Sequence, residues 1–249
     1  MLRSKFKNWV APGYFYQQSG KLVPYIAVLA ILTLVYGLIN GLWFAPLDYQ
    51  QKQAVKLIYL HVPCALLSLS IYTIIGVMSV IYLIWHIKIA DVIAQVSAPF
   101  GATMTALALI SGSFWGKPMW GTWWVWDARL TSELILLFLY FGYIGLRNAI
   151  QQQQIAAKVC AILAVVGLID IPIVHFSVEW WHTLHQGATI SKFAKPSMHP
   201  DMLYPLLSSL LGFYLVYVCI VIIKARAELI WRERKSAWVA EILLGAKHE

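Results

Sequence analysis

Five tryptophans fall within twelve residues of this chain, Trp115, Trp120, Trp123, Trp124 and Trp126, and Asp127 closes the run. Histidines stand in two other segments, His61 in "IYLHVP" and His182 and His185 in "SVEWWHTLHQG". An indole is broad, flat and apolar, with one N–H that wants a partner. At helical spacing Trp120, Trp123, Trp124 and Asp127 share one face, which predicts a short interfacial helix carrying a sheet of indoles. Gly116, Pro118 and Gly121 predict a bent, tight entry into it. Such a surface suits a broad, flat, apolar ligand, for which a porphyrin, a quinone and a lipid are candidates. It also suits a protein partner, because tryptophan concentrates at binding hot spots, and the bland alternative is an aromatic belt at the membrane interface.

Neutral imidazole is a common axial ligand of haem iron. His61 and His185 come from two segments that flank the tryptophan run, so together they could clamp a planar macrocycle against the indoles. Two alternatives stay open. His182 and His185, three residues apart, make half of a zinc or copper site that only Glu179 is near enough to extend, or His182 replaces His185 as the iron ligand. His86, His199 and His248 read as solvated, and His175 as a hydrogen-bonded core histidine. Arg129, Lys117, Lys192 and Lys195 are the cations available to a porphyrin's two carboxylates, arginine being best suited to bidentate pairing. Arg129 has a second possible partner in Glu133, one turn on, while Asp127 is placed to cap the helix that follows. Glu133 and Asp170 fall within apolar segments and read as structural pairings facing the interior.

The elements that must position these residues are membrane helices. Of 249 residues, 60% are hydrophobic and 12% charged, about half the charge of a soluble domain. Six apolar stretches, roughly 22–44, 61–86, 93–114, 130–149, 156–178 and 203–224, each approach the ~20 residues needed to cross a bilayer. This predicts one all-α membrane domain over residues 1–249, with the second crossing starting near Pro63 in its first turn and the tryptophan run in the segment 115–129. Leu22 to Phe44 is too long for a signal-peptide core and reads as a retained first span. With both termini inside, the inner segments hold thirteen lysines and arginines, and the outer ones six. The positive-inside rule then favours N-in and C-in topology, which puts His61, the tryptophan run and His185 together on the outer face. The net charge of +8 reflects this asymmetry and is not a nucleic-acid signal. Cys64, Cys160 and Cys219 have no CxxC partner and read as small buried hydrophobes.

"WGKPMWGTWWVWD" resembles the tryptophan-rich WWD motif of the haem-handling membrane proteins of cytochrome c biogenesis, and "IYLHVP" and "SVEWWHTLHQG" resemble the histidine segments of one branch, the haem exporter protein C family. The resemblance covers almost the whole chain. It implies haem b bound at the outer face of the bacterial inner membrane. His61 and His185 match the family's axial ligands, and Trp115, Trp120, Trp123, Trp124, Trp126 and Asp127 match the cradle of the haem edge. It also implies transfer of haem to a periplasmic chaperone, cytochrome c maturation protein E. The implied companions are the ATP-binding-cassette subunits A and B and a small membrane subunit, cytochrome c maturation protein D. The expectation is a haem-binding and transfer module rather than an enzyme. A b-type cytochrome that exchanges electrons with quinone, or a permease subunit, is the alternative. The first would pair its histidines deep within the helices; the second would break its helices at the midplane.

Overall fold

The computed structural model describes residues 10–187 and 198–244; Lys192, Lys195 and His248 lie outside them. Helix α1 (Pro12–Ile39) ends in a π turn, Asn40–Phe44. A 3-10 turn (Gln53–Leu57) leads into α2 (Ile58–Trp85), followed by α3 (Lys88–Trp120), α4 (Ala128–Ala149), α5 (Gln153–Gly167), α6 (Asp170–Trp180), α7 (Pro200–Arg232) and α8 (Ala237–Leu244). These give six segments long and apolar enough to cross a membrane: Pro12–Phe44, Gln53–Trp85, Lys88–Trp120, Ala128–Ala149, Gln153–Trp180 and Pro200–Arg232. In lipid every backbone N–H and C=O must be satisfied within the segment, and helices do this.

Two features depart from the sequence expectation. Pro63 lies in the second turn of α2, because burial of Val55, Ile58 and Tyr59 carries the helical path upstream. His61 is therefore a helix residue rather than a loop residue. The fifth crossing is two half-helices. Gly167 to Ile169 pass through tight turns, with Leu168 and Ile169 donating to the carbonyls of Val165 and Val166 at 3.2 Å. A Cβ on Gly167 would overlap the Tyr72 hydroxyl oxygen, so only a bare Cα admits that ring.

Small residues let the helices approach, since lipid supplies no hydrophobic drive between them. On α3, Ala90, Ala94, Ala98, Ala102 and Ala108 are buried, and Gly101 takes the ring of Tyr140 where a Cβ would clash. Tyr72 and Tyr140 meet edge to face at 5.1 Å in the centre of the core. The three cysteines are buried, unpaired thiols. The end of the bundle that carries the loops 86–87 and 150–152 is tied by charge. The Asp91 carboxylate accepts from Arg147 Nη1 and Nη2 at 2.9 and 2.8 Å and from Arg232 Nη1 at 2.6 Å, joining α3, α4 and α7. Next to it Glu233 accepts from Lys88 and, at 2.6 Å, from Trp238 Nε1, which docks α8.

Candidate functional site

The opposite end of the bundle holds the chemistry. Two adjoining chambers of about 180 and 120 Å³ share His61, Ala65, Trp115, Arg129, His185 and Gln186 in their walls. His61 projects from α2 toward α3. Its Nδ1 lies 3.1 Å from the Ala108 carbonyl and 3.1 Å from Ser111 Oγ. The carbonyl can only accept, so Nδ1 carries the proton and Nε2 keeps its lone pair. Ser111 donates its own hydroxyl proton to Leu107 at 2.5 Å and thereby faces His61 as an acceptor. Gly112 makes the room: a Cβ there would stand 3.0 Å from His61 Cε1.

His185 reaches the same place from the segment after α6. Its Nδ1 donates to the Gln186 carbonyl at 3.1 Å, again leaving Nε2 unprotonated. Burial and then the charge of Arg129 hold its pKa below the ordinary histidine value, against the pull of that carbonyl and of Asp127. The imidazole is neutral near pH 7, the form that ligates metals. The ring centroids of His61 and His185 are 6.3 Å apart. Two imidazoles that bind one metal from opposite sides, through bonds of about 2 Å, have centroids about 6 Å apart. Each Nδ1 fixed on an acceptor is the usual support of a metal-binding imidazole.

The structure brings together only part of the tryptophan run. Trp115 and Trp120 stand on the last turns of α3 and line the larger chamber. Trp115 meets His61 edge-on at 5.5 Å, and Trp120 lies 6.1 Å from His185. The expected helical face through Trp120, Trp123, Trp124 and Asp127 does not form. Gly121 adopts φ 76°, a left-handed conformation natural to glycine, and its N–H closes α3 on the Lys117 carbonyl at 3.0 Å. Residues 121–127 are irregular. Trp123 packs on Phe114 and under the Lys117 ammonium. Trp126 is 75% exposed and packs on Trp124, whose indole N–H is buried without a partner. These three indoles are absent from the walls of both chambers. Asp127 caps α4 as expected, accepting from the Leu130 N–H at 2.8 Å.

Arg129 borders both chambers, and its Nη1 donates to the Val174 carbonyl at 2.7 Å. It forms no ion pair with Glu133, which instead accepts from Ser68 at 2.6 Å. Glu133 and Asp170 are both buried in the interior; no ion pair to either is found among the described residues, and each keeps one buried, unpartnered oxygen. His182 is exposed and outside both walls. Among the described residues no three His, Cys, Asp or Glu side chains converge as a metal site, so no third ligand completes the zinc or copper alternative there. His175 is exposed and borders the smaller chamber rather than sitting in the core.

Sequence reasoning missed Gln51 and Gln186. Gln51 accepts from Trp115 Nε1 at 2.8 Å and donates to Gln186 Oε1 at 3.4 Å, so three segments separated in sequence close over the cavity. No local pattern marks such glutamines. The small-residue spacing of Ala108, Gly112 and Gly116, four apart on α3, was the one signal of a helix face kept low for a ligand.

The fold and site define a six-span membrane protein with an aromatic cavity at one end, walled in part by two imidazoles that each rest Nδ1 on an acceptor. The family described as Heme exporter protein C matches residues 5–240. The proteins named heme exporter protein C of Haemophilus influenzae and Escherichia coli K12 are each 45% identical to the chain, over 93% and 94% of it and 94% of their own length. That of Rhodobacter capsulatus is 38% identical over 92% of the chain and 95% of its own. The chain belongs to the heme exporter protein C family.

Proposed function

We propose that this protein binds haem b in the cavity, with His61 and His185 as the two axial imidazoles, and passes it to a periplasmic haem chaperone during c-type cytochrome biogenesis. The observation that carries this reading is the pair of imidazoles at 6.3 Å, each with Nδ1 on an acceptor and Nε2 free, inside an indole-lined cavity. The kinship with proteins named heme exporter protein C supports it. Trp115 and Trp120 would flank the ring. Trp123, Trp124 and Trp126, on the irregular segment before Asp127, would meet its edge or the chaperone. Arg129 is the cation at hand for a propionate. The haem end faces the periplasm of a bacterial inner membrane, and both termini lie in the cytoplasm. The partners are the ATP-binding-cassette subunits A and B and the small membrane subunit, cytochrome c maturation protein D.

The protein is a binding and transfer module in this reading. Haem supplies the iron; the chain's groups hold it, orient it and leave one edge open. A site at the end of the bundle suits release better than histidine pairs sunk between helices, the arrangement of a b-type cytochrome. The broken fifth crossing is a feature of permeases, but transporters built on inverted repeats break a corresponding pair of helices, and among the described residues one crossing is broken.

Optical and resonance Raman spectra of detergent-purified wild type, H61A, H185A and H182A test the assignment. Bis-imidazole haem in the wild type, lost or altered in H61A and H185A and kept in H182A, is the expected result. A wild type that takes up no haem when it is supplied overturns the function; a spectrum disturbed by H182A alone overturns the choice of ligand.

A further inference from the structure

Helix α2 is central, packed against α3, α5 and α7, yet one strip of it is uncovered. Ser70 faces α7, where its hydroxyl meets that of Tyr214. Gly76 faces Leu168, in the break that ends α5. At 3.6 residues per turn, Leu66, Thr73 and Val77 share one face that lies between these two directions. Thr73 and Val77 are exposed, and Leu66 is partly so. The helices on either side leave them bare: α6 packs on α4 and touches α2, α7 packs on α1, α2 and α3, and α6 and α7 do not pack along each other. The result is a cleft with α5 and α6 on one side, α7 on the other and α2 as its floor.

The smaller chamber is the end of this cleft nearest the imidazoles. Its walls include Ile58, Val62, Leu66 and Leu69 of α2, Val178 of α6 and Leu206 of α7, and it reaches His61 and His185. The larger chamber has no such side. It lies against α3 and α4, which pack along each other, and the bonds from Gln51 to Trp115 and Gln186 close over it. Haem is a disc with a mostly hydrocarbon rim. Entry over that roof breaks hydrogen bonds and takes the rim through water. Entry through the cleft keeps the rim against aliphatic side chains, as apolar surface favours. The chamber, about 120 Å³, is smaller than the disc, so α6 and α7 must part to pass it. Among the described residues α6 hydrogen-bonds Arg129 and not α7.

We propose that this cleft is a lateral door, through which haem passes between the hydrocarbon of the bilayer and the His61–His185 pair. This rests on haem binding by those two residues. The test is the kinetics of uptake and release by protein reconstituted in phosphatidylcholine vesicles. Haemin is added to the vesicles and later withdrawn by excess apomyoglobin, and absorbance follows both steps. V178W and L66W plug the cleft; I162W, exposed on α5 and outside both chamber walls, is the control. Uptake and release both slow about tenfold in V178W and L66W, the mark of a blocked path rather than a weakened seat, while I162W keeps wild-type rates. Wild-type rates in V178W and L66W, an equal slowing in I162W, or slower uptake with faster release overturns the proposal. So does uptake that Q51A speeds and V178W leaves alone, which is entry over the roof. Should either tryptophan variant not fold, V178F is read in the same way. A wild type that loads haem while every variant matches its rates removes this inference alone; a wild type that never takes up haem removes the binding reading with it.

Discussion

In the proposed haem site, ligand quality depends on atoms that are not themselves ligands. His61 presents Nε2 because Ala108 and Ser111 hold Nδ1, and it fits because Gly112 has no side chain. Removing such a support typically weakens metal binding about 10- to 100-fold. S111A is expected at the low end of that range, because the Ala108 carbonyl remains, and haem titration by absorbance measures it. G112V should abolish the bis-imidazole spectrum while the helical circular dichroism is unchanged; a normal spectrum would show that His61 yields easily. The residues that announce chemistry by type, His61, His185, Trp115 and Trp120, were legible in the sequence. Ser111, Gly112, Gln51 and Gln186 were not. They act through orientation and clearance, which depend on what lies across the interface.

At the scale of elements, hydropathy marked all six crossings, because about 20 apolar residues have few other uses. Their ends were less legible. The chain after Phe114 looks like a loop by polarity, but α3 runs on to Trp120 and stops only where Gly121 turns left-handed. A side chain in that conformation costs about 1–2 kcal/mol. G121A should therefore lower stability by about 1 kcal/mol in thermal unfolding and loosen the indole segment. G145A, in open space within α4, should be neutral or stabilising by about 0.5–1 kcal/mol. Equal effects would mean that the segment 121–127 relaxes freely. The break in the fifth crossing escaped the sequence reading because Gly167 is one of several glycines in apolar stretches, and only the position of Tyr72 distinguishes it.

The whole molecule has a tied end and a binding end. The carboxylate of Asp91 serves two arginines whose side chains are 8% and 4% exposed. Removing one member of such a buried network leaves charge uncompensated and costs about 3–5 kcal/mol. D91A is thus expected to unfold at markedly lower temperature or denaturant than wild type, while the folded fraction binds haem with an unchanged spectrum; a changed spectrum would mean that the two ends are coupled. The proposed orientation in the membrane rests on the count of cations in the sequence and is tested by labelling. With the native thiols buried, W126C should react with an impermeant maleimide in intact cells, and Q152C only after the membrane is opened. The reverse pattern would invert the topology.

The interrupted fifth crossing has a mechanical consequence. A continuous helix transmits twist and tilt from end to end through its ladder of backbone bonds. Between Gly167 and Ile169 that ladder is replaced by short turns, so α5 does not pass twist and tilt to α6 through one continuous helix. The piece beyond the break carries the Val174 carbonyl that holds Arg129 and, at its end, the stretch of chain bearing His185. In the proposed haem site one jaw of the clamp would thus hang on its own pivot, and letting go of the cargo would leave the rest of the bundle undisturbed.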